Sequence, residues 1–442
     1  MVYEHKNDAF DFKIRTKIVA TIGPAIEEEE KLKQILNYVD FIRFNFSHEP
    51  KKQIERLKFL KDVAKSIKKD IVTIADLEGP KIRTRNEEQI ELKAFAKYDL
   101  GVLCIKEKAF YDVIEKNDTV LLDDGKIEVK VLNNNEFMPL NTYILSPNKT
   151  VAIKGKDFPL KGLTEKDKEN IKLIKKHDFD IIAQSFIKTK DDIKDLRKLV
   201  NDKIVIAKIE TVQALKNIDS IIKESDGIMV ARGDLALAID QEKVPTMQRE
   251  MIKRCRDKGK PVIVATQMLD SMIKNPHPTR AEINDIYSTV LNGCDGLMLS
   301  GETAIGSFPV EAVKVIYKTI LEAEKNASYE ILPDYEIKDT IARQAVNIAE
   351  RLNKPLIAPT VHGTTPIKIS RQRPKQNIYV VTNNKRTLRY LNLFYGIRPV
   401  FFDYEPVFKK AEKIKALFKV NNAVFVFGYP PGNHNTNTII YL

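Results

Sequence analysis

The chain has 442 residues, 43% of them apolar and 30% charged, with a formal net charge of +12. This is ordinary globular composition, enough for a sizeable core, and the length allows about three domains. No apolar run approaches the roughly 20 residues needed to span a bilayer, and no repeat or low-complexity segment stands out.

The first residues, MVYEHKNDAFDFKIR, are polar and lack the apolar stretch of a secretion signal. Cys104, Cys255 and Cys294 are few, odd in number and widely spaced. Neither a disulfide framework nor a zinc site follows from them, and a reducing cytoplasm is the expected location. The basic balance suits either nucleic acid or small phosphorylated anions. Because the lysines are scattered through helix-like segments, a solvated surface is favoured over direct nucleic-acid binding.

Short apolar runs alternate with helix-period segments, the pattern of βα units around a parallel sheet. In chain order the runs are KIVATIG (17–23), VDFIRFNF (39–46), IVTIADL (71–77), FDIIAQSF (179–186), KIVIAKIE (203–210), GIMVARGDL (227–235), PVIVATQM (261–268) and CDGLMLS (294–300). After the last, Val313, Ile316, Tyr317 and Ile320 recur at helical spacing, and NPHP (275–278) reads as a turn with Pro278 near the first position of a helix. Eight strands, each leading to a helix, predict a closed (β/α)8 barrel over residues 1–85 and 158–331. The hundred or so residues between the third and fourth runs are too many for a simple connection. There TVLLDDGKIEVKVL reads as a β-hairpin with a DG turn, so residues 86–157 are expected to be an inserted β domain. From residue 332 to 442 a fresh α/β pattern predicts a third domain.

The C-terminal strand ends of such a barrel face the active site. Polar groups cluster there: Arg43, Asn45 and Ser47; Asp76; Lys208 and Glu210; Arg232 and Asp234; Thr266 and Gln267; Ser300 and Glu302. Any one of these could be a cap or a structural ion pair, but six strand ends together predict a site. Glu210 and Asp234 are hard oxygen ligands on neighbouring strands, suited to Mg²⁺. Lys208 shares a strand face with Glu210, and a lysine beside a metal suits a phosphoryl group. Arg43 adds a forked phosphate donor, and Arg232-Gly233-Asp234 offers backbone amides to a carboxylate or phosphate. Neither GxxxxGK[ST] nor GxGxxG occurs, so a P-loop or dinucleotide site is not expected.

The segments FIRFNFSH, IADLEGPKIRT, AKIET, IMVARGDLA, PVIVATQMLDSM, NPHPTRAEINDI and LMLSGETAIGSFPVEAV resemble, in order, the signature segments of pyruvate kinase. The resemblance runs from Lys17 to the C-terminus. It implies a barrel, an inserted small β-barrel lid (the B domain) and a C-terminal regulatory domain, usually assembled as a homotetramer. It implies transfer of the phosphoryl group of phosphoenolpyruvate to ADP, with Mg²⁺ or Mn²⁺ on Glu210 and Asp234. A silent regulatory relative is the alternative, disfavoured because Lys208, Glu210, Asp234, Arg43 and Thr266 are all present. Lys208 resembles the lysine that bridges the transferring phosphoryl group, and Arg43 the phosphate-binding arginine. Gly233, Asp234 and Thr266 match the substrate-carboxylate site, with Thr266, Ser300 and Glu302 on the proton relay. Asn45, His48, Arg83 and Asp157 fall where the family meets its nucleotide; for His48 a hydrogen-bonded loop residue is the other reading.

The segment DLEGPKIRT bears on the monovalent cation. Many members hold K⁺ near the phosphate with groups matching Asn45, Ser47, Asp76 and the Leu77 backbone, and carry GPE where this chain has GPK. Lys81 would then supply a fixed ammonium, making K⁺ unnecessary, although Thr84 fits the K⁺-requiring branch. The competing reading is a surface lysine paired to Glu78. In the C-terminal domain Gly363, Thr364 and Thr365 precede a predicted helix, where regulated relatives bind a sugar phosphate. Val361 and His362 depart from that pattern, and a plain helix cap is the alternative.

Overall fold

A computed structural model describes residues 13–403, 407–429 and 436–442. Eight parallel strands close a barrel in chain order: β1 (Lys17–Thr21), β2 (Phe41–Asn45), β3 (Val72–Asp76), β4 (Ile181–Gln184), β5 (Ile204–Ile209), β6 (Gly227–Ala231), β7 (Val262–Ala265) and β8 (Gly296–Leu299), with β8 beside β1. All eight lie within the apolar runs, because a strand covered inside and out must be apolar along its length. Helices cover the barrel wherever the 3.6-residue period predicts them. In the helix Pro309–Lys325, Val313, Ile316 and Ile320 are buried, and Tyr317 is half-buried against Tyr38. The helix Arg280–Leu291 corrects one expectation. Its N-cap is Thr279, closed by a capping box with Glu282, so Pro278 lies outside the helix.

Between β3 and β4 the chain forms an antiparallel sheet ordered Val151–Ile153, Thr119–Leu122, Ile127–Asn133, Glu136–Pro139 and Tyr98–Asp99, with a separate ribbon of Ile90–Leu92 and Tyr143–Leu145. Leu92, Val120, Val129, Phe137 and Leu145 share its core. The β character is as expected, but the hydrogen bonding leaves an open five-stranded sheet plus a ribbon, not a closed small barrel. The hairpin pairs Leu122 with Ile127, so its loop is four residues long, with Asp123, Asp124 and Gly125 all at positive φ. This insertion sits on the barrel through the Gly155 amide to the Ala238 carbonyl at 3.0 Å and Lys154 to Asp240 at 3.0 Å.

The C-terminal sheet comprises β9 (Leu356–Pro359), β10 (Ile378–Thr382), β11 (Ile397–Phe401), β12 (Val424–Phe427) and β13 (Thr438–Tyr441), ordered β11-β10-β9-β12-β13. All neighbours are parallel except the edge strand β13. Its core is continuous with the barrel interior: Phe41, Ile74, Met229 and Met298 cluster with Leu356, Val380 and Phe394.

Four aspartates mark the junction. Asp40, Asp180, Asp226 and Asp295 each stand one residue before an even-numbered strand. Each accepts a backbone N–H from the start of the preceding odd strand: Ile18 at 3.0 Å, Thr73 at 2.9 Å, Val205 at 2.9 Å and Val262 at 3.0 Å. The other oxygen of each faces an arginine of the C-terminal domain: Arg398 at 2.6 Å, Arg389 at 3.1 Å, Arg386 at 3.7 Å and Arg373 at 3.0 Å.

Lys17 is 1% exposed in this junction and donates to the Ile397 carbonyl at 2.7 Å. Burial, with Arg398 nearby, lowers its pKa to about 7, while Asp40, Asp295 and Glu324 oppose the shift. Asp40 is itself held low despite burial, but by Arg398 before Lys17. The two shifts agree with the geometry, because Asp40 lies 3.8 Å from Lys17 and 2.6 Å from Arg398. A lysine depressed on folding opposes the folded state below its folded pKa. Between about 7 and the ordinary lysine value the unfolded chain binds the extra proton, so this group's contribution to stability rises with pH. Lys17→Met should therefore raise the unfolding midpoint more at pH 6 than at pH 10. Thermal melts at both values check this, and equal shifts would remove Lys17 as the cause.

Candidate active site

The polar strand ends meet over the barrel mouth as a buried charge network. Arg43, in β2, donates from Nε to Asp76 Oδ2 at 2.7 Å and from Nη1 to Thr21 Oγ1 at 3.1 Å. Asp76 ends β3 and is 1% exposed. Lys208 Nζ, from β5, lies 3.2 Å from Asp76 Oδ1, 3.0 Å from Glu210 Oε1 and 2.6 Å from Ser185 Oγ. Glu210 Oε2 accepts the Phe186 N–H at 2.8 Å.

The protonation states follow from this packing. Burial opposes charge on Lys208, but Asp76 and Glu210 outweigh it and hold the ammonium above the ordinary lysine range. Burial likewise opposes Asp76, yet Lys208 and Arg43 bring its carboxyl below the ordinary value. Glu210 goes the other way. Burial raises it and Asp234 adds to the rise, despite Lys208 and Lys81. It is the member of the set with charge least compensated, and its Oε1 is buried without a hydrogen-bond donor of good geometry.

Lys81 does not pair with Glu78. Its Nζ lies 2.7 Å from Asp234 Oδ1 and 5.4 Å from the centre of the Phe186 ring. Glu78 instead takes Lys166 at 2.6 Å and Arg83 at 3.5 Å. Of the groups expected around a monovalent cation, Asp76 is bound by Arg43 and Lys208, and Asn45 Oδ1 accepts the Ser47 N–H at 3.2 Å. The Leu77 carbonyl accepts Ser185 Oγ at 2.7 Å.

Thr266 follows β7 with φ of +69°, and Gln267 with +54°. For a β-branched residue this is a true backbone outlier, of the kind that collects at functional sites. Thr266 Oγ1 accepts the Gly233 N–H at 2.8 Å and donates to the Ala265 carbonyl at 2.6 Å. Glu302 is buried and raised by that burial; it accepts the amides of Leu269 at 3.0 Å and Ser300 at 2.7 Å. Ser300 Oγ is buried with no hydrogen-bond partner.

The residues expected at the nucleotide are more dispersed. His48 is exposed on the loop after β2, and Arg83 reaches the Asn148 carbonyl of the insertion at 3.2 Å. Asp157 caps the helix Val212–Lys216, accepting the amides of Val212 at 3.1 Å and Gln213 at 2.7 Å. Between insertion and barrel lies a cleft walled by Lys81, Asp157, Phe186, Lys188, Glu210 and Asp234. In the C-terminal domain Gly363 has φ of +89° ahead of the short helix Thr364–Ser370, and the Thr365 hydroxyl is bonded internally to Thr436 at 2.8 Å.

Two residues of the network escaped the sequence reading. Ser185 bridges Lys208 to the Leu77 carbonyl, and Phe186 contacts both Glu210 and Lys81. Both lie at the end of β4, where the run reads AQSF, and the serine there was the available signal.

Known protein families and individual proteins match most of the chain. The family described as pyruvate kinase, barrel domain, matches residues 13–313, and pyruvate kinase, alpha/beta domain, matches residues 339–440. A pyruvate kinase of Thermotoga maritima is 35% identical over 96% of this chain and 98% of its own length. One of Geobacillus stearothermophilus is 38% identical over 87% of this chain and 71% of its own. One of Staphylococcus aureus is 36% identical over the same shares.

Glu302 uses both carboxylate oxygens as acceptors of backbone amides. Glu302→Gln turns one acceptor into a donor facing an N–H, which should cost about 1–3 kcal/mol of stability. Chemical denaturation of the two proteins measures it, and an unchanged midpoint would show that the second amide-to-carboxylate bond contributes nothing.

Proposed function

The chain belongs to the pyruvate kinase family, enzymes that pass the phosphoryl group of phosphoenolpyruvate to ADP, and on that premise we propose how its own residues carry the transfer. The observation that carries the reading is the buried set Arg43–Asp76–Lys208–Glu210 at the mouth of the barrel. Phosphoryl transfer asks mostly for position and for charge aimed at the equatorial oxygens. Lys208 and Arg43 provide fixed cations, and two carboxylates keep the lysine charged throughout, so it acts as a cation and not as the proton donor. The P–O bond to the enol oxygen breaks as a β-phosphate oxygen of ADP bonds to phosphorus. The enolate left behind takes a proton at its terminal carbon.

Glu210 and Asp234 fit a divalent cation, Mg²⁺ or Mn²⁺. They are hard donors, Glu210 just past β5 and Asp234 in the helix Arg232–Ala238 that follows β6, and Glu210 is undercompensated, with no well-aligned hydrogen bond at Oε1. Bound there, the metal would supply Lewis acidity toward the substrate oxygens. The substrate carboxylate would meet the Gly233 and Asp234 amides and Thr266, competing with Thr266 Oγ1 for the Gly233 N–H. Thr266 would start the proton path, supported by Ser300 and Glu302. Asn45, His48 and Arg83 would meet ADP. Asp157, with both oxygens on a helix cap, would serve the nucleotide by docking the lid.

K⁺ independence belongs to the same proposal, on different geometry from that expected. Lys81 joins the site at Asp234, not at Asn45, Ser47, Asp76 and Leu77. With it the three carboxylates Asp76, Glu210 and Asp234 face the three cations Arg43, Lys81 and Lys208. A glutamate at position 81 would change that local balance by two charges, which a monovalent cation would partly restore. The reading extends to action in the cytoplasm as a homotetramer, which light scattering tests. It also extends to an effector at Gly363, Thr364 and Thr365. Titrating sugar phosphates and AMP against substrate saturation tests that part.

Formation of ATP from phosphoenolpyruvate, ADP and Mg²⁺ should be abolished by Lys208→Met; a surviving rate would refute the mechanism. Replacing K⁺ by tetramethylammonium should leave activity largely intact, whereas Lys81→Glu should create a K⁺ requirement. A large loss of wild-type activity in tetramethylammonium overturns the role given to Lys81.

A further inference from the structure

Arg232 opens the helix Arg232–Ala238 just past β6, and its guanidinium turns toward the end of β7. It is 7% exposed. Nε and Nη2 donate to the Thr266 carbonyl at 3.2 and 2.8 Å, and Nη2 also donates to the Gln267 carbonyl at 2.7 Å. Nη1 lies 2.6 Å from Asp285 Oδ2, on the helix that follows β7. All three guanidinium nitrogens are therefore engaged. Their targets are the two carbonyls of the positive-φ pair Thr266-Gln267 and the carboxylate beside it.

We propose that Arg232, anchored by Asp285, is a positioning residue that holds the Thr266–Gln267 turn in its strained conformation and so aims the Thr266 hydroxyl. The inference rests on the reading of Thr266 as a participant in the reaction. Two consecutive non-glycine residues at positive φ persist only where their surroundings over-determine them. Here the determination comes from both sides. The guanidinium fixes the carbonyls of the turn, and the next residue, Gly233, fixes the hydroxyl through its N–H at 2.8 Å. Only arginine has donors in a planar fork that reaches two carbonyls and a carboxylate together; lysine has a single nitrogen. The clamp couples β6 to β7, so the hydroxyl and the Gly233–Asp234 amides are set by one device.

The test is a double-mutant cycle on the full chain, with Thr266→Val, Arg232→Met and both. Arg232→Met should lower kcat about tenfold or more while moving the KM of either substrate less than about twofold. In the Thr266→Val background it should cost less than about twofold more, because its effect runs through the missing hydroxyl. Arg232→Lys should fall nearly as far as Met, since retained charge cannot span the turn. Asp285→Asn, a milder change, covers the case in which Arg232→Met fails to fold, and should couple to Thr266→Val in the same way. Losses that multiply across the cycle, or full rescue by lysine, overturn the proposal directly. Wild-type kcat in Thr266→Val overturns it through its premise, and marks that reading as the one at fault.

Discussion

Everything above the barrel floor depends on four carboxylates. Asp40, Asp180, Asp226 and Asp295 tie the start of each odd strand to the start of the next even one. A parallel strand cannot slip one residue without turning its whole core face outward. Fixing the starts therefore fixes which residues arrive together at the top. The same carboxylates receive arginines of the C-terminal domain, so that domain is fastened to the register itself. Where both partners are largely buried, as in Arg373–Asp295 and Arg398–Asp40, removing one costs about 3–5 kcal/mol, chiefly through the charge left behind.

At the opposite end the arrangement inverts. Each floor aspartate divides its oxygens between a backbone N–H and an arginine. At the mouth, Glu210 is instead held above its ordinary pKa by burial and by Asp234, with only a poorly aligned Lys208 ammonium 3.0 Å from Oε1. A folded protein tolerates such a group where a ligand completes it, and added positive charge would relieve it. The strained Thr266–Gln267 turn is a second local cost on the same rim. Both lie well away from the pairs that stabilise the floor, which lets the rim be poised for chemistry without loosening the register.

Much of this was legible because it is periodic or local. The eight strands read as apolar runs since each is covered on both faces, and Lys208 with Glu210 follows from a two-residue spacing on one strand. What the sequence hid is the destination of long side chains. Arg232 reads as one more polar group at a strand end until Thr266 and Asp285 are brought beside it across 34 and 53 positions. Lys81 has Glu78 three residues away and chooses Asp234 across 153. Asp157 matches a nucleotide residue by motif, and the motif does not reveal that its two oxygens accept the amides of Val212 and Gln213. The aspartates of the floor went unnoticed because a lone acidic residue before a strand carries no signal until the neighbouring strand is in place.

The destination of Lys81 has a local cause, and it lies just past β4, in two uncharged residues. Gly79 has φ of +72°, and a Cβ there would meet the Phe186 ring at 2.9 Å and Ser185 Cβ at 3.0 Å. Only glycine lets the turn settle on those two residues. Pro80 then restricts the next step, and the Lys81 side chain runs past the Phe186 ring to Asp234. Phe186 also gives its N–H to Glu210, and Ser185 gives its hydroxyl to Leu77 while receiving Lys208. Two uncharged residues thus set the distances among three ionised ones. A charge exchange at position 81 is therefore felt by both carboxylates proposed for the metal: Asp234 by contact, and Glu210 through the electrostatic coupling that already includes Lys81. The lysine in the Gly-Pro turn therefore acts first on the carboxylates proposed for the metal, and the proposed change in monovalent-cation demand would follow from that.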